Sequence, residues 1–195
     1  MDGSIKKGKK RGASAAIASV LVMLCAGAGL FFAYRSLHRM NYPQKYSEYV
    51  ERYSKEYGVD SAFVYAVIKT ESDFRPDAVS QDDACGLMQL LPSTLEWLQR
   101  LTPEDDRYTR ADLFDPEINV RYGVLFLSYL FERFSEPDTV AAAYHAGVNG
   151  VQNWLKNPEY SSDGISLQKI PYGDTAQYVS KIHERYDIYR QLYQI

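Results

Sequence analysis

The chain has 195 residues and a formal charge of −3, divided unevenly: residues 1–41 carry seven of its 22 basic side chains and one of its 25 acidic ones. From Tyr42 onward 24 acids face 15 bases, a formal charge of −9 that argues against nucleic acid or anionic lipid as a partner of that region. Its one cysteine, Cys85, excludes an internal disulfide there, and a region of this size can build a single core without one.

A basic cluster (Lys6, Lys7, Lys9, Lys10 and Arg11) precedes 23 residues, 12–34, that carry no charge. About 20 apolar residues cross a bilayer as a helix. Five bases before the segment, against Arg35 and Arg39 after it, predict a cytoplasmic amino terminus and an extracytoplasmic remainder. The expected order is a cytoplasmic tail 1–11, a single-pass transmembrane anchor 12–34, a tether 35–45 extending to about 40 Å at most, and a domain 46–195. A cleavable signal peptide is the alternative, with Ala26, Gly27 and Ala28 as a cleavage site. The length of the run and its continuation through Leu30, Phe31 and Phe32 favour an uncleaved anchor. A lipoprotein signal at Cys25 is disfavoured by Leu24, which stands where a small residue is usual.

The domain reads as helix after helix. Tyr46, Tyr49, Val50, Tyr53 and Tyr57 stripe a first helix ended by Gly58. Asp60 is placed to cap a second helix, on which Val64, Val67 and Ile68 share one face. Pro92 opens a short helix towards Arg100. Asp115-Pro116 opens a long one to about Phe134, with Ile118, Leu125, Tyr129 and Leu130 expected inward. Pro137 starts a helix ended by Gly147, and Gly150 to Leu155 adds another. Residues 157–173 read as a loop. Asp174 with Gln177 predicts a capping box opening a final helix striped by Tyr178, Ile182, Tyr186, Tyr189 and Tyr193. No stretch alternates as a strand does, so the fold class is mainly α.

Glu71 is the one position where this pattern points to chemistry. It takes the next place on the face of Val64, Val67 and Ile68, where an apolar residue would continue the stripe. An acid held against apolar neighbours keeps its proton to higher pH, as a general acid working near neutrality requires. The structural alternative is a helix-end glutamate turned to solvent.

Glu71-Ser72, Gly86-Leu87-Met88-Gln89, Ala143-Tyr144-His145-Ala146-Gly147 and Tyr178-Val179, in that order, resemble the motifs of the lytic transglycosylase domain of glycoside hydrolase family 23, which also contains goose-type lysozyme. The resemblance runs from about Tyr46 to Tyr193. It implies a lysozyme-like α fold with a groove for the glycan strands of peptidoglycan, and hence a bacterial cell membrane for the anchor. It assigns the catalytic acid to Glu71. Ser72 would be its neighbouring hydroxyl, Met88 and Gln89 would line the groove, and Tyr144 and Tyr178 would approach from later helices. His145 stands where the family usually has Asn, and the family usually has a Gly near Asp83. The resemblance implies no metal and no organic cofactor, and His145 has no metal-ligand spacing to His183 or His38.

Glycosidic cleavage ordinarily takes two carboxyl groups. Asp73, Asp77, Asp82 and Asp83 are the nearest in sequence to serve as the second, and each reads more readily as a solvated loop acid or helix-end cap. Without a second, the substrate supplies the nucleophile, as is understood for lytic transglycosylases. Glu71 then acts as acid and afterwards as base, closing a 1,6-anhydro ring. Two alternatives stay open: a hydrolytic muramidase of the same fold, and a non-catalytic wall-binding module. The short tether suggests cutting close to the membrane, with a membrane-embedded envelope assembly as the candidate partner. Trp97 and Trp154 read as core or as sugar-stacking rings, and Cys85 as a small buried residue.

Overall fold

The computed structural model describes residues 5–102 and 107–195, with side chains from Leu21 onward. The chain divides into two units, Met1–Pro43 and Gln44–Ile195. Of the expected cytoplasmic tail, residues 1–4 and the side chains of the basic cluster lie outside the described residues.

The first unit is one helix, α1 (Ile5–Asn41). Its part Leu21–Asn41 has a mean hydropathy of 1.3 and no buried residues. Among the described residues it is the one helix long and apolar enough to cross a membrane. Here the structure departs from the expected tether. Residues 35–41 contain no Gly or Pro to stop a helix, and helical geometry continues until Tyr42, which the following Pro43 pushes out of it.

The second unit is built from α2 (Ser47–Tyr57), α3 (Ser61–Glu71), α4 (Pro92–Leu101), a 3₁₀ turn (Arg110–Phe114), α5 (Pro116–Phe131), α6 (Pro137–Ala146), α7 (Val148–Leu155) and α8 (Gly173–Tyr193). There are no strands among the described residues; Val79, Cys85 and Leu90 make isolated antiparallel bridges. The local signals for helix ends hold where one residue decides them. Asp60 accepts from the Ala62 amide at 2.9 Å, and Asp115 accepts from Glu117 and Ile118 at 2.8 and 3.2 Å. Gly58 closes α2 at φ +69°, and Pro92, Pro116 and Pro137 sit in first turns.

The centre of the unit is α3. Its residues Ala62 to Ile68 are all buried, so the stripe expected on one face is in fact a helix enclosed on every side. It packs between α8 and α2, while α5 carries α2, α6, α4 and the 3₁₀ turn. Aromatic rings close these contacts: Tyr65 stacks on Tyr189 with centroids 5.3 Å apart, and Phe63 meets Phe131 and Tyr186 edge-on at 5.2 and 5.4 Å.

Three expectations change. On α5 the buried face is Asn119, Val120, Tyr122, Gly123, Val124, Leu127 and Leu130. Ile118, Leu125 and Tyr129 are only partly covered, because neighbours on several sides decide burial there. The helix also stops at Phe131, with Glu132–Phe134 in a looser turn. At α8 the cap is Tyr172 and no capping box forms; Asp174 instead accepts from the adjacent Thr175 amide at 2.7 Å. A capping box does form between Thr109 and Asp112, where none was expected.

Candidate active site

Glu71 is the last residue of α3. The helix ends there because the chain turns at once: Ser72 leaves helical geometry, and Asp73 and Phe74 both take left-handed conformations, φ +53° and +61°. Strain of this kind persists only where the surroundings fix it. Phe74 is buried, Arg75 Nε donates to the Ser72 carbonyl at 3.0 Å, and Asp73 pairs with Lys69.

The Glu71 carboxyl is partly buried at this corner, and burial raises its pKa from 4.5 to about 7. Tyr178 Oη, from α8, donates to Oε1 at 2.6 Å and opposes that shift by favouring the carboxylate. Oε2 makes no hydrogen bond among the described residues, so one oxygen is anchored while the other is open to carry a proton. Tyr178 and Tyr144 are both held well above the ordinary phenol range, by burial first and then by the charge of Glu71. Both therefore stay neutral donors across the working pH range.

Residues 78–90 form the facing wall. Cys85 and Leu90 exchange backbone hydrogen bonds at 2.9 and 3.0 Å, and Gly86 N donates to the Ala78 carbonyl at 2.9 Å. The turn between them is clamped by Asn119 of α5, fully buried inside the unit. Its Nδ2 donates to the Cys85 and Leu113 carbonyls at 2.9 and 2.8 Å, and its Oδ1 accepts from Met88 N at 2.8 Å. Gly86 is obligatory here: φ is +78°, and a Cβ would lie 2.2 Å from both Asn119 Nδ2 and the Leu113 carbonyl.

The side chains expected at the site are brought together, but with divided tasks. Ser72 is 2% exposed and donates to the Leu87 carbonyl at 2.7 Å, so it locks the end of α3 to the facing wall and does not face the groove. Met88 has no exposed surface either. It packs on Gly123, where an added Cβ would come within 2.2 Å of its sulfur, and so forms support beneath the groove. Gln89, at φ +49°, spends its amide nitrogen on the Ala78 and Gly86 carbonyls at 3.0 and 2.9 Å. Tyr144 donates to the Met88 carbonyl at 2.7 Å, joining α6 to the wall. His145 is exposed, lies with its ring centroid 4.6 Å from that of Tyr178, and places Nδ1 3.2 Å from Thr175 Oγ1.

Asn119, Gly123 and Thr175 went unrecognised in the sequence. The one signal for Asn119 is an amide among apolar neighbours of a helix, which many solvated positions share.

None of the four acids weighed as a second carboxylate contributes to the shift of Glu71, which arises from burial and Tyr178. Asp83 is engaged by Arg110, whose Nε reaches both carboxylate oxygens at 2.9 and 3.0 Å, and this pairing lowers its pKa. Asp83 also sits at φ +65°, a conformation in which glycine is at home; the ion pair with Arg110 steadies an acid there.

Residues 48–165 match the family model for the transglycosylase SLT domain. The chain is 29% identical over 150 residues to the soluble lytic murein transglycosylase of Salmonella typhimurium, covering 76% of this chain and 23% of that protein. It is 32% identical over 168 residues to membrane-bound lytic murein transglycosylase C of Edwardsiella ictaluri, covering 77% and 44%. Among solved structures, the 70 kDa soluble lytic transglycosylase of Escherichia coli superposes with a TM-score of 0.73 at 27% identity, over 79% of this chain and 25% of that one. The lytic transglycosylase Slt of Pseudomonas aeruginosa, solved as an inactive Glu→Gln mutant, gives 0.67 at 29%, over 78% and 25%. The chain thus spans less than half the length of each of these relatives.

Proposed function

Since the chain belongs to the transglycosylase SLT domain family, we propose that it cuts the glycan strands of peptidoglycan at the MurNAc-β-1,4-GlcNAc bond and leaves 1,6-anhydro-MurNAc ends. One observation carries the reading: a single carboxyl, Glu71, tuned to about pH 7 by burial and fixed through one oxygen by Tyr178. A residue that must first give a proton and then take one works best with a pKa near the working pH.

In the first step the protonated Glu71 gives its proton to the glycosidic oxygen. The C–O bond breaks as the substrate's own N-acetyl carbonyl oxygen bonds to the anomeric carbon. In the second step the Glu71 carboxylate takes the proton of the sugar's 6-hydroxyl, O6 bonds to the anomeric carbon, and the acetamido oxygen leaves. No water enters the product. The engagement of Asp83 by Arg110 and of Asp73 by Lys69 supports a substrate-supplied nucleophile, as in substrate-assisted exceptions to the two-carboxylate rule. The inactivity of a Glu→Gln mutant of the Pseudomonas aeruginosa relative also favours a glutamate in this role. Tyr178 and Tyr144 keep the acid and the wall in register. Gln89, through its carbonyl oxygen, and His145 are left to meet the sugar.

The apolar helix and the membrane-bound relative support an anchored enzyme, with its amino terminus cytoplasmic and its domain outside the bacterial cell membrane, acting near the membrane. Mass spectrometry of fragments released from purified peptidoglycan by the full chain in detergent tests the chemistry. Anhydro ends, one water lighter than reducing ends, are expected. Reducing ends would overturn the reading in favour of hydrolysis.

A further inference from the structure

The loop between Ala78 and Cys85 is held at its tip by an ion pair that the mechanism does not use. Arg110 Nε donates to both oxygens of Asp83 at 2.9 and 3.0 Å, and Nη2 donates to Oδ1 at 2.5 Å. The guanidinium also lies over the Phe114 ring, 5.5 Å from its centroid. Arg110 opens the 3₁₀ turn, which its neighbours hold in place. Buried Gln99 bonds the amide and the carbonyl of Tyr108 at 2.6 and 3.0 Å. The Thr109–Asp112 box closes the start of the turn, and Asn119 donates to the Leu113 carbonyl at 2.8 Å. The arginine is thus the fixed point, and the loop is what it holds.

Asp83 needs such a hold. Its φ of +65° is a conformation that L side chains adopt sparingly, and that lasts only where the surroundings impose it. From this tip, hydrogen bonds run down the loop. Asp83 N donates to the Ser80 carbonyl at 3.2 Å, and Ser80 N to the Ala84 carbonyl at 3.0 Å. Ser80 Oγ accepts from the Asp82 and Ala84 amides at 3.2 and 3.1 Å, and Cys85 Sγ donates to the Asp83 carbonyl at 3.3 Å. Val79 bridges to Cys85 below them. At the foot, the Ala78 carbonyl accepts from both Gly86 N at 2.9 Å and Gln89 Nε2 at 3.0 Å. A tip that shifts therefore carries Ala78 with it and turns the Gln89 amide. The oxygen of that amide accepts nothing among the described residues.

We infer that Arg110 and Asp83 are positioning residues for sugar binding: the pair locks the left-handed tip and, through Ala78, aims the Gln89 carbonyl oxygen at the glycan. The inference rests on the peptidoglycan reading of the Glu71 site. Neither charged side chain has to touch the strand. A glycine in place of Asp83 would take the same φ without a partner, so the pair does by charge what glycine does by shape. Its expected weight is that of one exposed ion pair of good geometry, about fivefold at most.

Titration calorimetry on the full chain in detergent, with Glu71→Gln preventing turnover, tests it. The ligand is a peptide-free tetrasaccharide of alternating N-acetylglucosamine and N-acetylmuramic acid. Arg110→Ala should weaken its binding about three- to fivefold. Adding Asp83→Gly to Arg110→Ala should restore the parent affinity, because the tip then needs no partner. In a Gln89→Ala chain, Arg110→Ala should cost nothing further. Unchanged binding in Arg110→Ala overturns the proposal. So does a loss that Asp83→Gly fails to restore, or one that persists in the Gln89→Ala chain, since either places Arg110 on the strand itself. Cleavage of purified peptidoglycan by the unaltered chain reports separately on the transglycosylase reading. Anhydro ends without this coupling sink the pair alone, and the coupling without anhydro ends sinks the chemistry alone. A tetrasaccharide that the Glu71→Gln chain does not bind sinks the sugar-binding reading and the proposal with it.

Discussion

At the scale of single residues, the balance at Glu71 is between burial, which raises its pKa, and the Tyr178 hydroxyl, which lowers it. Burial wins, and the consequence has a definite sign. An unfolded chain ionises Glu71 near pH 4.5, whereas the folded domain holds the proton to about 7. The contribution to stability is fully present below the first value and lost as pH rises through the second. Two and a half pKa steps correspond to about 3 kcal/mol. Glu71→Gln, neutral at every pH, is therefore expected to unfold at higher denaturant than the unaltered chain above pH 7, and to lose the pH dependence between 4.5 and 7. Its activity should fall below a few per cent. A variant less stable than the parent at pH 8 would show that the carboxylate is not penalised as described. Tyr178→Phe removes the donor that favours the carboxylate, so Glu71 should keep its proton to higher pH. The basic limb of the kcat/KM profile should move upward, with kcat/KM at its optimum about tenfold lower, the weight of one positioned hydrogen bond. A basic limb that stays in place would assign it to another group.

At the scale of elements, the site depends on a clamp far from the acid in sequence. Asn119 satisfies three buried backbone groups at once, in the loop, in the 3₁₀ turn and at Met88. Asn119→Ala leaves all three unpaired in a dry interior and should destabilise the domain by about 3 kcal/mol, measured by urea unfolding. Gly86→Ala should cost at least as much, from the clash with Asn119 and Leu113 added to the strain at φ +78°. A loss below about 1 kcal/mol in either would mean that the loop relaxes freely. These couplings explain what the sequence made legible and what it hid. Helix ends at Asp60, Gly58 and Asp115 could be read because each is decided within four residues. So could the ordered motifs, which the fold brings together: Tyr178 bonds Glu71, and Tyr144 bonds the Met88 carbonyl. The clamp joins residues 31 and 34 positions apart, and no local pattern marks it. Ser72 and Met88 were legible as motif residues but not as buried ones, because whether a motif side chain faces the groove or the core depends on helices that arrive later. The box expected at Asp174 failed for the same reason: two side chains at the right spacing form a cap only if the first residue leaves helical geometry, and here the chain does so at Tyr172.

For the whole molecule the question is what joining two units does. Helix α1 continues to Asn41, so the link to α2 is Tyr42 to Tyr46, which spans at most about 18 Å where the sequence alone suggested about 40 Å. A domain on so short a link to an apolar helix without buried residues is expected to stay with the membrane. The full chain should resist extraction by alkaline carbonate and enter solution only with detergent. Recovery in the carbonate wash, or as a shortened chain in the medium, would favour release over anchoring. The second unit has its own enclosed core around α3, so residues 44–195 should fold alone and unfold within a few degrees of the full chain. That truncated domain separates reach from chemistry. On soluble glycan fragments the two forms should cut at equal rates, because both carry the same Glu71 site. On intact sacculi presented to proteoliposomes, the anchored form should be the slower, and about 20 flexible residues inserted after Pro43, adding a mean span of about 25 Å, should restore much of the difference. If the insertion changes nothing while the freed domain is faster, the restraint lies in the membrane helix and not in the length of the link.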